Sequence, residues 1–202
     1  MKIKNVVFDV GNVLVRWDPH SVVVAHFPEN RDHKGLTQQI FKSNTWYDLN
    51  KGLISQTEAI AQYQQALKIE TARLEALMHA IKESLVPIDG SFALLTKLYQ
   101  AQYPLYALTD NTHELITYLQ RKYDFWSMFS GVVVSADIGA LKPSPAIYQH
   151  LLTTYHLIAE ESLFIDDMFA NVEGAKAVQM QAIQFENIDQ CRQALRQFGL
   201  ST

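Results

Sequence analysis

The chain has 202 residues, of which 48% are hydrophobic and 19% charged, and its formal net charge at pH 7 is −4. This length suits one globular domain or a core with an inserted subdomain, and without a run of Lys or Arg nothing supports binding to nucleic acid or an anionic membrane. The single cysteine, Cys191, excludes an intrachain disulfide and a thiolate metal cluster, and it suits a reducing cytosol.

The first residues resemble a signal peptide only faintly. Lys2 and Lys4 precede apolar residues, but Asp9 and the Gly11-Asn12 turn interrupt the apolar segment, and no small-residue cleavage site follows. The sequence has no stretch of 18 apolar residues, so no transmembrane helix is expected. We therefore expect a cytoplasmic protein without a membrane partner, and the sequence indicates no particular oligomeric state.

The first predicted element is a buried strand at 3–8. This apolar run ends at one carboxylate, Asp9, which is followed by the Gly11-Asn12 turn. Ligands of open α/β sheets bind at the carboxyl ends of the strands, where Asp9 would lie. Because a buried carboxylate is costly unless a metal or a lysine compensates its charge, Asp9 is either functional or a turn-capping residue.

The pattern from about His20 to Leu85 is helical throughout. Predicted helices cover residues 21–27, residues 36–42, a segment opened by the capping-box sequence from Ser55 to Glu58, and residues 71–84. A crossover between parallel strands needs far fewer residues than this. We therefore predict an inserted helical cap subdomain at residues 18–86.

The remainder of the chain alternates helices with strands after a break at Val86-Pro87. The predicted elements are a helix at 92–100, a strand at 105–108, a helix N-capped by Asn111 to about 122, a strand at 131–135, a helix opened by Ser144 and Pro145, a strand at 163–165, a helix from about 170, a strand at 181–185 and a closing helix. This alternation predicts an α/β fold, with a Rossmann-like parallel sheet core formed by residues 1–17 and 87–202.

Polar residues lie at the ends of three predicted strands. Asp9, Thr109 and the pair Asp166-Asp167 therefore meet at one edge of the sheet, and Lys142 can reach them from the loop beyond the third strand. Carboxylates from separate strands suit Mg²⁺, while a threonine and a lysine suit phosphoryl oxygens. A carboxylate beside a metal and a lysine can attack phosphorus and form an aspartyl-phosphate.

Four segments resemble the motifs of haloacid-dehalogenase-superfamily hydrolases, in the order and on the elements typical of that family. They are FDVGNVL (8–14), ALTDN (107–111), LKPSPAIY (141–148) and FIDDMFANVEGA (164–175). The opening is similar to that of bacterial α-D-glucose-1-phosphate phosphatases. The resemblance implies a Rossmann-like core with a cap inserted after the first strand. It also implies a Mg²⁺-dependent phosphatase that hydrolyses a small phosphorylated metabolite through an aspartyl-phosphate.

The resemblance also implies a role for individual residues. Asp9 is the implied nucleophile, and Lys142 neutralises the phosphoryl group. Phosphate binding is implied for Thr109, Asp110, Asn111 and Lys142. The implied metal ligands are Asp9, Asp167 and the backbone carbonyl of Gly11. Asp166 and Asn171 would orient Asp167 or metal-bound water, although Asp166 has the alternative role of a helix N-terminal charge.

Gly11 departs from the family pattern. Most phosphatases of this superfamily have a second Asp at this position, whose carbonyl binds the metal and whose side chain acts as general acid and base. With Gly11 the carbonyl remains but the acid is lost, which removes a contribution of about 10²–10⁴-fold. The sequence therefore predicts a slow enzyme or a good leaving group. A sugar 1-phosphate is one candidate, because an anomeric phosphate leaves more easily than an ordinary sugar phosphate.

Two alternative functions stay open. A metal-independent 2-haloacid dehalogenase of the same fold also lacks the second Asp, but Asp167 argues against it because attack on carbon requires no metal carboxylate. A non-catalytic member that binds a sugar phosphate or a protein would leave the set of Asp9, Thr109, Lys142 and Asp167 unexplained. Weaker candidates for the substrate cleft are His20, His113, Trp17, Trp46, Tyr47 and Lys51-Gly52, each of which also has an ordinary structural explanation.

Overall fold

The computed structural model describes residues 2–201, so that Met1 and Thr202, the outer limits of the predicted core, lie outside the described residues. One parallel sheet contains β1 (Asn5–Phe8), β2 (Leu105–Thr109), β3 (Gly131–Val134), β4 (Ser162–Asp166) and β5 (Gln181–Gln184). The strand order is β3-β2-β1-β4-β5, so β1 is central and the connection reverses direction beside it. The predicted α/β fold with a Rossmann-like parallel sheet is confirmed.

Both faces of this sheet are covered, which explains why its strands read as continuous apolar runs. On β1, Val6 and Phe8 belong to a core cluster that extends to the helices before residue 86. Val7 points to the opposite face, where it joins Tyr148 and Phe164. Because successive side chains of a strand face opposite ways, burial of all three requires a layer of helices on each side.

Five helices lie between β1 and residue 86, and six follow it. The first group is α1 (Pro19–His26), α2 (His33–Phe41), α3 (Asn44–Asn50), α4 (Gln56–Leu67) and α5 (Thr71–Ser84). The second group is α6 (Ser91–Gln100), α7 (His113–Lys122), α8 (Ser135–Ile138), α9 (Pro145–Thr154), α10 (Phe169–Ala177) and α11 (Ile188–Gln197). Two 3-10 helices, Asp124–Met128 and Ala159–Glu161, complete the described elements. In residues 2–201 no helix has the length and apolar character needed to cross a membrane.

Local capping explains several helix boundaries. The predicted capping box is present at α4, where Ser55 accepts a hydrogen bond from the Glu58 N–H and the Glu58 carboxylate accepts one from the Ser55 N–H. At α9, the Ser144 hydroxyl is the N-cap and Pro145 is the first helical residue, as predicted. The long pattern at 71–84 coincides with α5, because Leu74, Leu77 and Ile81 share its buried face.

Several predicted elements differ from the observed ones. The sequence pattern did not predict α3, a helix of seven residues that is too short to show a clear 3.6-residue period. Thr112, not Asn111, is the N-cap of α7. The first strand begins at Asn5 rather than at residue 3, and β3 ends at Val134 because Ser135 already opens α8.

The two chain crossings between the sheet and α1–α5 run side by side. The Arg16 N–H donates to the Val86 carbonyl at 2.8 Å, and the Ile88 N–H donates to the Leu14 carbonyl at 2.9 Å. Without these hydrogen bonds, the backbone N–H and carbonyl groups of both crossings would lack partners between the sheet and helices α1–α5. The crossings lie beside the carboxyl end of β1, which Asp9 follows directly.

Candidate active site

Asp9 lies directly after β1 and is held to the neighbouring strand. Its N–H donates to the carbonyl of Ile165 in β4 at 2.9 Å, and its side chain is almost wholly buried. One carboxylate oxygen, Oδ1, accepts a hydrogen bond from the Val10 N–H at 2.7 Å and lies 2.8 Å from Lys142 Nζ. Both of these partners bind the same oxygen. The backbone of the sheet therefore fixes the direction in which Asp9 points.

Lys142 reaches the sheet edge from the loop between α8 and α9. Its ammonium group lies 2.8 Å from Asp9 Oδ1 and 2.7 Å from Asp166 Oδ2, and it donates to the carbonyl of Leu108 at 3.3 Å. The Lys142 side chain is 1% exposed. A buried ammonium is tolerated only when it is paired and hydrogen-bonded, and here two carboxylates and a carbonyl provide the partners.

Asp166, at the end of β4, is fully buried and acts inside the protein. Its Oδ1 accepts hydrogen bonds from the Met168 N–H at 2.8 Å and from Asn171 Nδ2 at 3.0 Å, while Oδ2 binds Lys142. Both roles considered for Asp166 are thus present in part, since it binds an N–H at the start of α10 and also orients two side chains. Those side chains belong to Lys142 and Asn171, whereas Asp167 was the expected partner.

Three carboxylates form a possible cation site. Asp9, Asp166 and Asp167 each offer an oxygen, and these oxygens lie within 4.8 Å of one another. Asp9 and Asp167 line a cavity, whereas both oxygens of Asp166 are engaged by protein donors. Hard oxygen ligands at this spacing suit a divalent cation such as Mg²⁺, which retains water and so needs few protein ligands. The donor set therefore fits the metal that the sequence predicts.

The electrostatics of this cluster point the same way. Burial raises the pKa of Asp9 well above its usual value, an effect that Lys142 opposes and Asp166 reinforces. Burial and the neighbouring Asp166 charge raise the pKa of Asp167. Burial lowers the pKa of Lys142, but the charges of Asp9 and Asp166 outweigh it and hold that pKa above its usual range. A single ammonium among several carboxylates leaves negative charge that a cation would offset.

The residues at the end of β2 occupy different positions. Thr109 is buried and lies outside the cavity lining, while Asp110 and Asn111 both line it. Asp110 accepts a hydrogen bond from the Lys142 N–H at 3.0 Å, which ties the Lys142 loop to β2. Burial raises the pKa of Asp110, although Lys142 opposes this. The Asn111 N–H donates to the hydroxyl of Ser135 at 2.9 Å.

Gly11 lies at the cavity wall with open space beside it. The Leu14 and Val15 N–H groups both donate to the Val10 carbonyl, so neither of these donors uses the carbonyl of Gly11. A Cβ atom added at Gly11 would meet only Trp17 Cβ, at 3.8 Å, which is an ordinary contact. The packing at this position thus tolerates a Cβ atom.

Asn12 is a site residue that sequence reasoning missed. Its Nδ2 donates to Asp167 Oδ2 at 3.2 Å, and its Oδ1 accepts the Trp17 N–H at 2.9 Å. The residue has a φ of 53°, a left-handed conformation that asparagine tolerates better than most residues. An Asn after Gly in a turn was the available signal, but it indicates only the conformation. The contact with Asp167 spans 155 positions of sequence.

These groups face a cavity of about 390 Å³ between the sheet edge and α2–α3. We call the part formed by Asp9, Asp110, Lys142 and Asp167 the charged end. The part formed by Trp17, Phe41 and Trp46 is called the aromatic wall. Trp17 stacks on Trp46 with ring centroids 5.7 Å apart, and Phe41 meets Trp46 edge-on at 4.9 Å.

Of the weaker candidates from the sequence, some line this cavity and others lie outside its lining. Trp17, Trp46 and Tyr47 line it, as considered from the sequence. His113 lies outside the lining and pairs with Asp137 at 3.0 Å, and His20 interacts with Thr37. The Lys51-Gly52 segment also lies outside the lining; a Cβ at Gly52 would collide with the Ala136 carbonyl, so this segment packs against α8.

The chain is similar in sequence to known proteins. Residues 6–185 match the family described as haloacid dehalogenase-like hydrolase. A sesquiterpene phosphatase of Aspergillus oryzae, astK, is 27% identical over 177 residues, which cover 88% of this chain and 87% of that protein. A D-ribitol-5-phosphate phosphatase of Bacteroides thetaiotaomicron is 25% identical and is covered over 97% of its length, against 96% of this chain.

The structure also resembles solved structures. A HAD-family enzyme from Bacteroides thetaiotaomicron, crystallised with magnesium and inorganic phosphate, superimposes with a TM-score of 0.76 at 20% identity. The superposition covers 91% of this chain and 94% of that one. At this identity the likeness shows the fold alone.

Proposed function

The chain belongs to the haloacid dehalogenase-like hydrolase family, and from this premise we propose that it is a Mg²⁺-dependent phosphatase that hydrolyses a small phosphomonoester. The observation that carries the proposal is the buried ion pair between Lys142 and Asp9 at the wall of a cavity that Asp167 also lines. Such an arrangement presents a carboxylate, a fixed cation and a cation-binding carboxylate to one incoming phosphoryl group. Two relatives named as phosphatases support the same reading.

In the first proposed step, an oxygen of Asp9 attacks phosphorus. The new bond joins that oxygen to phosphorus, and the bond between phosphorus and the ester oxygen breaks with its electron pair remaining on the leaving oxygen. That oxygen takes a proton from water, because position 11 is a glycine and has no acid to offer. In the second step the oxygen of a water molecule bonds to phosphorus, and that water gives a proton to the hydroxide left by the first step. The bond between phosphorus and Asp9 breaks with its electron pair returning to the carboxylate, and inorganic phosphate leaves.

The other side chains bind and orient. Lys142 neutralises the phosphoryl oxygens and remains oriented by Asp166, while Thr109, Asp110 and Asn111 form the proposed phosphate-binding segment. Asp9, Asp167 and the Gly11 carbonyl are the proposed Mg²⁺ ligands. The bound ion would supply positive charge to the phosphoryl group as it is transferred. Asn171 acts through Asp166, to which it donates at 3.0 Å.

We further propose that residues 1–17 and 87–202 act as a core and residues 18–86 as a cap. The paired crossings at Leu14–Arg16 and Val86–Ile88 support this division. A cytoplasmic location is proposed because the single thiol, Cys191, is buried and free. A sugar 1-phosphate substrate, like the resemblance to glucose-1-phosphate phosphatases, stays a prediction from the sequence.

The test is phosphate release from p-nitrophenyl phosphate and a panel of phosphorylated metabolites, with Mg²⁺, with EDTA, and after Mg²⁺ is restored. We expect release only when Mg²⁺ is present. Asp9→Asn should lower kcat on the order of 10⁴-fold or more, since the nucleophile is lost. Halide release from 2-haloacids that EDTA leaves unchanged would instead support the dehalogenase, and no turnover of either substrate class would support a binding protein.

A further inference from the structure

The aromatic wall and the cavity entrance differ sharply from the charged end. Phe41 and Trp46 are buried there, and Trp17 meets Phe41 edge-on at 5.8 Å in addition to stacking on Trp46. Trp17 belongs to the proposed core, whereas Phe41 and Trp46 belong to the proposed cap, so the wall is assembled from two parts of the chain. Ligand cavities of this kind recognise apolar groups mainly through buried contact area.

Asn50 lines the cavity near this wall, and two of its polar groups already have partners. Its Nδ2 donates to the Trp46 carbonyl at 2.8 Å, and its backbone carbonyl accepts a hydrogen bond from the Ser135 hydroxyl at 2.6 Å. A polyhydroxylated leaving group would therefore bring hydroxyls to a surface of rings. Each buried hydroxyl left unpaired lowers affinity about tenfold or more.

A second anionic group on the substrate would also be bound poorly in this cavity. Among the residues that line the cavity, Lys142 is the single cationic side chain, and its ammonium is held by Asp9 and Asp166. The remaining ionisable groups of the lining are the carboxylates of Asp110 and Asp167. A carboxylate or a second phosphate placed beyond the charged end would meet no free cation there.

The cavity entrance is also apolar. Tyr47 and Met168 both line the cavity and are 43% and 55% exposed, and the neighbouring Phe169 is 63% exposed. Exposed large apolar side chains grouped at the mouth of a cavity are typical of a surface that meets an apolar ligand. Apolar side chains thus extend from the aromatic wall to the protein surface.

We propose that the substrate is a phosphomonoester of an apolar alcohol, with an uncharged hydrocarbon or unsaturated group that packs against the aromatic wall. This inference rests on the proposed phosphatase function and specifies its substrate class. It differs from the sugar 1-phosphate predicted from the sequence, because that prediction considered only the leaving-group chemistry at Gly11. The wall determines which group can occupy the space beyond phosphorus.

The test compares substrates matched in leaving-group chemistry. Hexyl phosphate and glucose 6-phosphate are both six-carbon esters of a primary alcohol, and glucose 1-phosphate represents the sequence prediction. We expect kcat/KM for hexyl phosphate to exceed that for either sugar phosphate at least tenfold. From ethyl to hexyl phosphate, each buried methylene should raise kcat/KM about fourfold. A flat series, or a higher value for either glucose phosphate, would overturn the inference.

Variants of single residues test which part of the cavity produces the preference for hexyl phosphate. Tyr47→Ala should lower the ratio of hexyl phosphate to glucose 6-phosphate turnover several-fold, while Tyr99→Ala, at an exposed tyrosine outside the lining, should leave the ratio unchanged. Trp46→Leu should lower the ratio further. If that variant does not fold, the tyrosine pair still decides, because equal ratios in Tyr47→Ala and the wild-type protein would contradict binding of the alcohol by the apolar lining of the cavity.

A binding measurement separates this inference from the phosphatase proposal. Alkylphosphonates have a C–P bond in place of the ester, so their affinity can be measured by calorimetry with Mg²⁺ whether or not the protein is a phosphatase. If no phosphomonoester is hydrolysed but phosphonates bind more tightly with chain length, the phosphatase proposal fails and the apolar subsite stands. If phosphonate affinity does not change with chain length, the apolar subsite is wrong, even where phosphate esters are hydrolysed.

Discussion

The two ends of the cavity are built by different means. At the charged end, the side chains are held by polar contacts, and Lys142 alone bridges Asp9, Asp166 and the Leu108 carbonyl. The aromatic wall has almost no polar contacts and is held by ring packing between Trp17, Phe41 and Trp46. Directional contacts hold a reacting group in one geometry, whereas ring contacts accept many shapes of similar polarity.

This difference separates chemistry from recognition. Substitutions at the charged end should affect every phosphomonoester by a similar factor, because the phosphoryl group is common to all. Substitutions at the aromatic wall should change the ratios between substrates. Asn12 connects the two ends, because it contacts both Asp167 and the Trp17 N–H. The neighbouring residue, Gly11, has room for a Cβ atom.

The largest expected change follows from removing the cation of the charged end. Lys142→Met leaves Asp9 and Asp166 buried without their ammonium partner, and breaking a buried pair in this way lowers the free energy of unfolding by about 3–5 kcal/mol. The matched control is Lys4→Met, since Lys4 pairs with Glu161 at 2.8 Å but is 60% exposed. An exposed pair contributes about 0–1 kcal/mol.

Urea unfolding of both variants, without Mg²⁺, measures this difference. Equal unfolding midpoints for Lys142→Met and Lys4→Met would mean that the charged end is not held by its buried ion pairs. Turnover by Lys142→Met should also fall for all substrates together, since Lys142 is the proposed partner of the phosphoryl oxygens.

A second change acts on the proposed metal site. Asp167→Asn keeps the shape of the side chain but removes its negative charge. Mg²⁺ affinity should therefore fall, and kcat at fixed Mg²⁺ should drop about 10²–10³-fold. The thermal midpoint of the wild-type protein should rise with Mg²⁺ concentration, because ligands that bind the native state stabilise it. In Asp167→Asn that rise should be much smaller. The same rise in both proteins would place the ion elsewhere.

A third change tests the boundary between the two ends and should increase activity. Gly11→Asp introduces a carboxyl where the structure has room for a Cβ, and an acid there contributes about 10²-fold for an alkyl phosphate, whose leaving oxygen needs a proton. For p-nitrophenyl phosphate the gain should be small because its leaving group needs no proton. Gly11→Asn is the control, as it fills the same space without an acid. A similar gain in both variants would attribute the effect to packing.

The smallest expected change is at the residue that joins the two ends. Asn12→Gly removes the hydrogen bonds to Asp167 and to the Trp17 N–H but keeps a residue that accepts the left-handed backbone at φ 53°. Loss of a partner that orients a metal ligand should weaken Mg²⁺ binding about 10-fold. A Mg²⁺ titration of phosphate release measures it. If the Mg²⁺ dependence is unchanged, Asn12 holds only the turn.

Most of the charged end could be predicted from the sequence because its residues belong to local patterns. Asp9 follows an apolar strand, Lys142 precedes the Ser144-Pro145 helix start, and Asp166-Asp167 follow another apolar strand. In a parallel sheet, these positions meet at one edge whatever the details of packing. The α/β fold followed from the same alternation of strands and helices, and it agrees with the observed order β3-β2-β1-β4-β5.

The N-cap of α7 was wrong by one residue. Asn111 and Thr112 are adjacent and are both residue types that cap helices, so the local pattern did not distinguish them, and Thr112 is the N-cap. The partners of Asp166 could not be read from the sequence, because Lys142 lies 24 positions away and reaches it only in the folded protein. The predicted role of Asp166 in orienting Asp167 or metal-bound water stays a prediction.

The sequence by itself determined the fold class and the collection of acidic and basic residues at the end of β1, since strand periodicity and turn residues act over a few positions. Only the tertiary structure decided that Asn12 holds Asp167, that Gly11 has open space, and that Trp17 stacks on Trp46. These contacts depend on how α2 and α3 pack over the sheet edge. No local pattern encodes that packing, because the partners lie on separate elements whose relative positions are set by burial of the whole core.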